Sequence, residues 1–177
     1  MKNKKRIPSI GIAAIIVGSI SIILLAISII TSVISVKRTE DAISNIGSVT
    51  YTVEIEEKID KAVEYYNKLD KNIGLDDRVS NKKDLDAAIY NYVRLGIKKA
   101  IYSYNRRFAD NIAEEDIKLY VNQAYDSLVK YFEESEYEGI EGYSDFVPLL
   151  EIYQEKKENT NTDSNTSNND AEEPEIC

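Results

Sequence analysis

The stretch from Ile7 to Val36 reads IPSIGIAAIIVGSISIILLAISIITSVISV and contains no charged residue. These 30 residues would form an α-helix about 45 Å long, because each residue adds about 1.5 Å along the axis. The hydrocarbon layer of a bilayer is only about 30 Å thick. The sequence therefore predicts a transmembrane helix over residues 7–36, and this helix determines where the rest of the chain is held.

Basic residues are distributed unequally around the apolar stretch. Four basic residues precede it: Lys2, Lys4, Lys5 and Arg6. Two follow it, Lys37 and Arg38, and these are followed by the acidic residues Glu40 and Asp41. Since basic residues favour the cytoplasmic side, residues 1–6 are predicted to be a cytoplasmic N-terminus. The chain is then a single-pass protein of the cell membrane, with its C-terminal domain extracellular.

A cleaved signal peptide is the competing interpretation of the same segment. Such peptides have an apolar region of about 7–15 residues that ends in a small-residue cleavage site. Val33-Ile34-Ser35 is compatible with cleavage, but the uncharged stretch is far longer than such a region. We therefore favour an uncleaved membrane anchor, and the alternative is left open.

One face of the predicted membrane helix carries small side chains. They fall on the a and d positions of a heptad, a pattern that only Leu25 interrupts: Gly11, Ala14, Gly18, Ser21, Ser28, Ser32 and Ser35. Small residues on one stripe let two helix backbones approach closely in lipid. The stripe is a candidate face for a parallel homodimer, although Ser and Ala are frequent throughout this segment; Ala13, Ser19 and Ala26, for example, lie off the stripe.

The chain after the membrane shows helical periodicity and no strand pattern, so the fold class is all-α. Apolar residues recur at spacings of three and four in four segments, which predicts a bundle of about four helices over residues 52–157. The expected N-terminal caps are Thr52, Asn81, Asn111 and Ser144. The second predicted helix carries two apolar stripes, and its second stripe includes Phe108.

Two segments flank the predicted bundle. Residues 37–51 are expected to form a short stalk that continues the membrane helix until Gly47 stops it. Residues 158–177 contain almost no apolar side chain and cannot bury enough surface to offset the entropy of ordering. They are predicted to be a disordered tail.

The third and fourth predicted helices resemble the first two. With an offset of 62 residues, Ile59, Ala62, Tyr66 and Leu69 match Val121, Ala124, Leu128 and Tyr131. With an offset of 61, the matching pairs are Val79 and Ile140, Leu85 and Phe146, Ala88 and Leu149, and Tyr92 and Tyr153. Each repeat would be a helical hairpin, and the pair is expected to stack with the long basic helix as the joint.

Residues 40–95 resemble the small three-helix FIVAR-like modules of Gram-positive cell-surface proteins. The resemblance is carried by AISNIGSVTY (residues 42–51), Lys58 to Ala62, Tyr66 to Leu69, Val79 to Asn81, Leu85 and Ala88. Residues 110–155 follow the pattern more loosely. The resemblance implies a surface-exposed helical module that acts as a spacer or binding unit and transfers no catalytic residue. Unlike the large secreted proteins in which these modules recur, this chain has an N-terminal membrane anchor.

Composition argues against several kinds of partner. The chain has no His, and its single cysteine is Cys177, so an internal disulfide and a His/Cys metal site are excluded. All 31 acidic residues follow the apolar stretch, in a chain of net charge −9. Since this acidic domain is repelled by phosphate, nucleic acid is not an expected partner.

No motif for catalysis, for metal or for a cofactor is found in the sequence. Acidic clusters lie at helix starts or in loops, where the helix dipole and solvent explain them. The thirteen tyrosines could form a binding surface, but with no Trp and three Phe they are first expected to supply aromatic packing. The leading prediction is a non-enzymatic surface module for protein interaction or spacing. The alternative is an accessory subunit of an envelope transport, secretion or sensing complex that contacts its partner through the membrane helix.

Overall fold

The computed structural model describes residues 9–162, with side chains described for residues 19–153. Every element in this part of the chain is helical. The five α-helices are α1 (Ser9–Ser44), α2 (Val53–Asn67), α3 (Lys82–Arg106), α4 (Glu114–Tyr131) and α5 (Tyr143–Thr162). Short 3₁₀ turns lie at Lys71–Ile73, Asp76–Arg78 and Glu134–Gly139. The prediction of an all-α chain with one N-terminal helix that could span a membrane is confirmed.

The chain divides into two compact units between Ala88 and Ile89, a point that lies inside α3. The first unit contains α1, α2 and the start of α3. The second unit contains the remainder of α3 together with α4 and α5. The division explains the two apolar stripes predicted on this helix, because Leu85 and Ala88 are buried in the first unit and Val93 and Ile97 in the second.

The core of the first unit lies where the C-terminal end of α1 packs against α2. Thr39 is fully buried, and Ile43 and Ile46 are almost so. Thr39 and Ile43 are four residues apart and lie on one face of α1, and Ile46 follows in the turn after the helix ends. Ile55 and Ile59 are buried on α2, at the same helical spacing. The helix continues beyond the uncharged stretch to Ser44, and Thr39 and Ile43 of this continuation are packed into the unit.

The core of the second unit is formed by faces of α3, α4 and α5. Its fully buried side chains include Val93, Ile97, Ile117, Val121, Ala124, Leu128 and Phe146. These residues belong to the apolar spacings of three and four that predicted the helices from the sequence. Phe108 was included in the second stripe of α3, but its burial is not found, because α3 ends at Arg106 and the ring beyond it is 86% exposed.

Burial follows the predicted repeat at most positions, but Tyr66 and Tyr131 are only partly buried where the matching Leu128 and Leu69 are buried. Equivalent positions on α2 and α4 are buried in both units: Ile55 and Ile117, Ile59 and Val121, and Ala62 and Ala124. The later positions are also buried in pairs: Val79 and Ile140, Leu85 and Phe146, Ala88 and Leu149, and Tyr92 and Tyr153. Each unit also buries three residues of the preceding segment, spaced by four and three: Thr39, Ile43 and Ile46 in the first, and Val93, Ile97 and Ala100 in the second.

Helix starts differ from the sequence predictions. Thr52 caps α2 as expected, with its hydroxyl accepting from the backbone of Ile55. Asn111 is not a cap, because α4 starts after Ala113 and Asn111 has a φ of 52°. Ser144 is also not a cap, because α5 already begins at Tyr143. Pro148 lies within that helix, in its second turn rather than at its start.

The C-terminal boundary of the helical region also differs slightly. α5 continues to Thr162, whereas the bundle was predicted to end at residue 157. Residues 163–177 of the predicted tail and the cytoplasmic segment 1–6 lie outside the described residues. The first part of the predicted membrane helix, residues 7–8, also lies outside them.

Candidate functional site

The most distinctive surface of the first unit is the apolar part of α1. The helix from Ser19 to Ser44 includes an 18-residue stretch with a mean hydropathy of 2.5, and no residue of that stretch is buried inside the protein. The large side chains from Ile20 to Ile34 are all more than half exposed. The same unbroken helix then becomes buried at Thr39 and Ile43. One helix therefore joins a surface suited to hydrocarbon directly to a packed protein core.

The candidate dimer stripe lies on this helix. The backbone of Gly11, Ala14 and Gly18 is helical, and the described part of the stripe begins at Ser21. Ser32 donates its hydroxyl to the carbonyl of Ser28 at 2.8 Å, and Ser35 donates to the carbonyl of Thr31 at 2.9 Å. These hydroxyls are therefore satisfied within their own helix. The serine side chains are small, and none of these hydroxyls would be an unpaired donor if this helix face lay in lipid.

A groove of about 580 Å³ separates α1 from the C-terminal end of α2. At its centre, Arg38 donates a hydrogen bond of 2.7 Å from Nη2 to the hydroxyl of Tyr65. The guanidinium carbon of Arg38 also lies 4.2 Å from the centroid of the Tyr65 ring. Ser35 and Leu69 also line the groove. Arg38, one of the two basic residues that follow the uncharged stretch, thus takes part in the folded unit.

The start of α3 is tied to α1 by polar contacts that the sequence did not reveal. The Glu40 carboxylate accepts from the backbone N–H and from the hydroxyl of Ser80, at 3.0 and 2.6 Å. These bonds hold the pKa of Glu40 below its usual value. Asn81 donates from Nδ2 to the Glu40 carbonyl at 3.0 Å and to the Ser44 hydroxyl at 3.1 Å. The predicted cap residue is therefore turned toward α1, and its Oδ1 has no partner there.

The equivalent place in the second unit is held by charge. Glu141, in the loop before α5, accepts from Arg94 at 2.8 Å and from Lys98 at 2.6 Å, one cation on each carboxylate oxygen. Hydrogen bonds from Lys98 and Arg94 lower the pKa of Glu141 to about 2. The backbone N–H of Glu141 donates to the Tyr90 hydroxyl at 3.2 Å. Part of the basic face of α3 thus has a structural partner, as expected for charges that complement acidic neighbours.

The second unit also has an aromatic groove, of about 430 Å³, formed by the end of α3, the following loop and α5. Arg107 lies over Tyr104 and Phe108, with its guanidinium carbon 3.9 and 4.6 Å from the two ring centroids. It also donates to the Tyr104 carbonyl at 2.6 Å. Ile152, on α5, completes the apolar lining. We call the surface formed by these four residues the Phe108 groove.

Most tyrosines have the packing role expected from the composition, and some do not. Tyr92, Tyr137 and Tyr153 are buried in the core. Burial raises the pKa of Tyr137, as expected for a phenol that loses water. Tyr102 is exposed, and Tyr65 is only partly buried against Arg38. The sequence alone could not assign each tyrosine, since a ring at a helix edge fits either role.

The described residues contain no cluster of three or more His, Cys, Asp or Glu side chains with the geometry of a metal site. Comparison of the chain with protein-family models, with curated proteins and with solved structures gave no match. The FIVAR-like resemblance of residues 40–95 therefore stays a prediction.

Proposed function

We propose that this chain is a membrane-anchored, non-enzymatic helical module that binds a protein partner at the cell surface. The observation that carries the proposal is the continuity of α1, whose exposed apolar stretch ends only a few residues before buried Thr39. A helix that left the bilayer through a flexible linker would hold its domain loosely. Here the first unit is fixed directly to the anchor. By its resemblance to FIVAR-like modules, the proposed setting is the surface of a Gram-positive bacterium.

The Phe108 groove is the proposed contact surface for the partner. An exposed Phe next to Arg and Tyr side chains matches the composition of interaction hot spots. The ring is 86% exposed but is held in place by Arg107 rather than extending freely. Contact with a partner would remove a large apolar surface from water at little conformational cost.

The test uses the full-length chain in its native membrane with in-cell crosslinking. We expect Phe108→Ser to reduce crosslinking to the partner at least about tenfold, the loss typical of a hot-spot residue. Leu119→Ser is the matched control, because Leu119 is a large apolar residue of the same unit that is half exposed outside the groove. Equal crosslinking by both variants and the unchanged chain would contradict the assignment of the groove.

A second candidate function places the contact in the membrane, where the chain would be an accessory subunit of an envelope complex. The observation in its favour is the row of self-satisfied serine hydroxyls on α1, which suits close helix packing. In the same crosslinking experiment, replacing Ser28 and Ser32 with Leu would then remove the partner while Phe108→Ser would not.

A further inference from the structure

The end of α2 points back toward the membrane stretch of α1. Only residues 45–52 separate the end of α1 from the start of α2. Twelve residues into α2, the hydroxyl of Tyr65 accepts from Arg38, which lies six residues before the end of α1. Leu69, just after α2, lines a groove with Ser35, which belongs to the last turn of the uncharged stretch. The two helices therefore run in opposite directions, and the chain that follows α2 begins beside the last apolar turn of α1.

The chain after α2 forms a well-defined turn, residues 68–74, which we call the juxtamembrane turn. Leu69 and Leu75, on either side of its tip, are buried and anchor it to the first unit. The Asp70 carboxylate accepts from the backbone N–H of Asn72 at 3.0 Å, and Gly74 closes the turn with a φ of 66°. Between these anchors, Ile73 is 56% exposed. The fold thus holds an apolar side chain outward at the tip of a short turn.

The length of the apolar stretch places this tip near the bilayer surface. The 30 uncharged residues from Ile7 to Val36 exceed the number needed to cross the hydrocarbon. Membrane helices tilt by up to about 40°, and even at that tilt such a helix would still span about 34 Å. The end of the stretch then lies at the headgroup level, and tilt lowers one side of the attached unit toward the lipid.

We propose that the juxtamembrane turn rests on the bilayer, with Ile73 inserted at the boundary between headgroups and acyl chains. Lys71 is exposed on the same turn, where its ammonium group can reach lipid phosphate while its aliphatic part remains beside apolar surface. Lys68 is already paired with Glu64 and is not needed for this contact. This inference rests on the proposed membrane anchoring and adds a second contact between the same unit and the same bilayer.

The chain offers a matched control at the other end of α2. Val53 is 71% exposed and, like Ile73, is a β-branched aliphatic residue. It begins a helix of 15 residues, so it lies about 20 Å from the end that leads into the turn. Because α2 points toward the membrane with its C-terminal end, Val53 should remain in water while Ile73 contacts lipid.

The experiment measures lipid contact at single labelled positions of the full-length chain. In a Cys177→Ser background, Ile73→Cys, Val53→Cys and Ile30→Cys are each labelled with an environment-sensitive fluorophore. The chain is reconstituted in vesicles of equal parts phosphatidylethanolamine and phosphatidylglycerol, with lipids brominated near the carbonyl end of the acyl chain as quenchers. We expect strong quenching at positions 30 and 73 and quenching at position 53 that is several-fold weaker.

Each other outcome has a distinct meaning. Quenching at position 30 with equal, weak quenching at positions 73 and 53 would overturn the proposal and leave membrane anchoring intact. Absence of quenching at position 30 would overturn both the anchoring and the inference that rests on it. A blue-shifted but unquenched label at position 73 would place the tip against protein and would likewise overturn lipid contact.

Discussion

At the scale of single residues, Glu141 shows how one carboxylate can hold a loop against a helix. Its two oxygens each accept from a different cation on α3, Arg94 and Lys98. The carboxylate is exposed, so solvent screens both pairs and the gain in stability is modest. The ion pairs nevertheless depress the pKa to about 2, compared with the ordinary value of 4.5.

This shift predicts a pH-dependent effect of Glu141→Gln. A carboxylate whose pKa is lowered by folding stabilises the protein fully above its unfolded pKa, and this stabilisation is lost as the pH falls through the folded value. We expect Glu141→Gln to lower the melting temperature by a few degrees at neutral pH. The difference from the unchanged chain should shrink between pH 4.5 and about pH 2. Thermal unfolding by circular dichroism in detergent micelles would measure it.

The matched control is Glu138→Gln, an exposed glutamate three residues earlier in the chain. It should leave the melting temperature unchanged at neutral pH. A destabilisation by Glu141→Gln that stayed constant down to the lowest pH would show that its ion pairs are not the cause.

Gly142 provides a second residue-scale prediction. Its φ is 92°, and a Cβ added there would lie 3.4 Å from Cγ2 of Ile97 and 3.7 Å from Cδ1 of Ile101. Because side chains other than hydrogen strain a backbone at positive φ, Gly142→Ala should lower the free energy of unfolding by about 1–2 kcal/mol. Urea denaturation would measure the change.

Gly139 serves as a control that tests whether backbone strain causes the loss of stability. Gly139 does not have positive φ, and a Cβ added there would meet nothing within 4 Å. Gly139→Ala should therefore be neutral or slightly stabilising. Equal destabilisation by both substitutions would contradict the account based on backbone strain.

At the scale of helices, periodicity predicted the buried faces well, and caps were predicted poorly. The spacing of Ile117, Val121 and Ala124 is a property of the segment itself, so the sequence contains it directly. Asn81 looked like a cap because its residue type and position fit one. Its carboxamide instead bonds to α1, some 40 residues earlier in the chain. Such a contact depends on which helices become neighbours, and local sequence does not encode that.

The prediction that Phe108 belongs to an apolar face of α3 failed for a different reason. The apolar stripe of α3 continues through Phe108 in sequence, but the helix ends two residues earlier. Beyond a helix end, spacing no longer determines which way a side chain points. The ring that periodicity assigned to the core therefore became the centre of the Phe108 groove, and only the structure could show it.

The small-residue stripe of α1 also makes a prediction at the helix scale. If two copies pair along it, replacing Ser21 and Ser28 with Leu should abolish self-association in a membrane two-hybrid assay, because larger side chains separate the backbones. Replacing Ser19 and Ala26 with Leu is the matched control, since these residues lie off the stripe. Self-association that survives the first pair of substitutions would contradict the dimer.

At the scale of the whole molecule, the two units share a pattern of buried positions but differ in the polar contacts that hold each loop to a helix. In the first, Glu40 on the preceding helix accepts from Ser80 in the loop before the last helical segment. In the second, the loop supplies the acid, Glu141, and the helix supplies the cations. Most burial positions that the sequence repeat matched are shared by the two units, whereas the polar contacts differ between them. The residue types at core positions are restricted by the volume they must fill, whereas those at polar surface positions are not. This explains why the repeat is recognisable in the sequence only at its core positions.

The orientation of the molecule in the membrane is a prediction that its single cysteine can test. Since the N-terminal basic residues favour the cytoplasm, Cys177 should be outside the cell and react with a membrane-impermeant maleimide in intact cells. An Asn3→Cys variant in a Cys177→Ser background is the control and should react only after lysis. Labelling of Cys177 that required lysis would invert the topology. Recovery of the labelled chain from the medium, without its apolar stretch, would instead establish the signal-peptide alternative, because an uncleaved α1 keeps both units at the membrane.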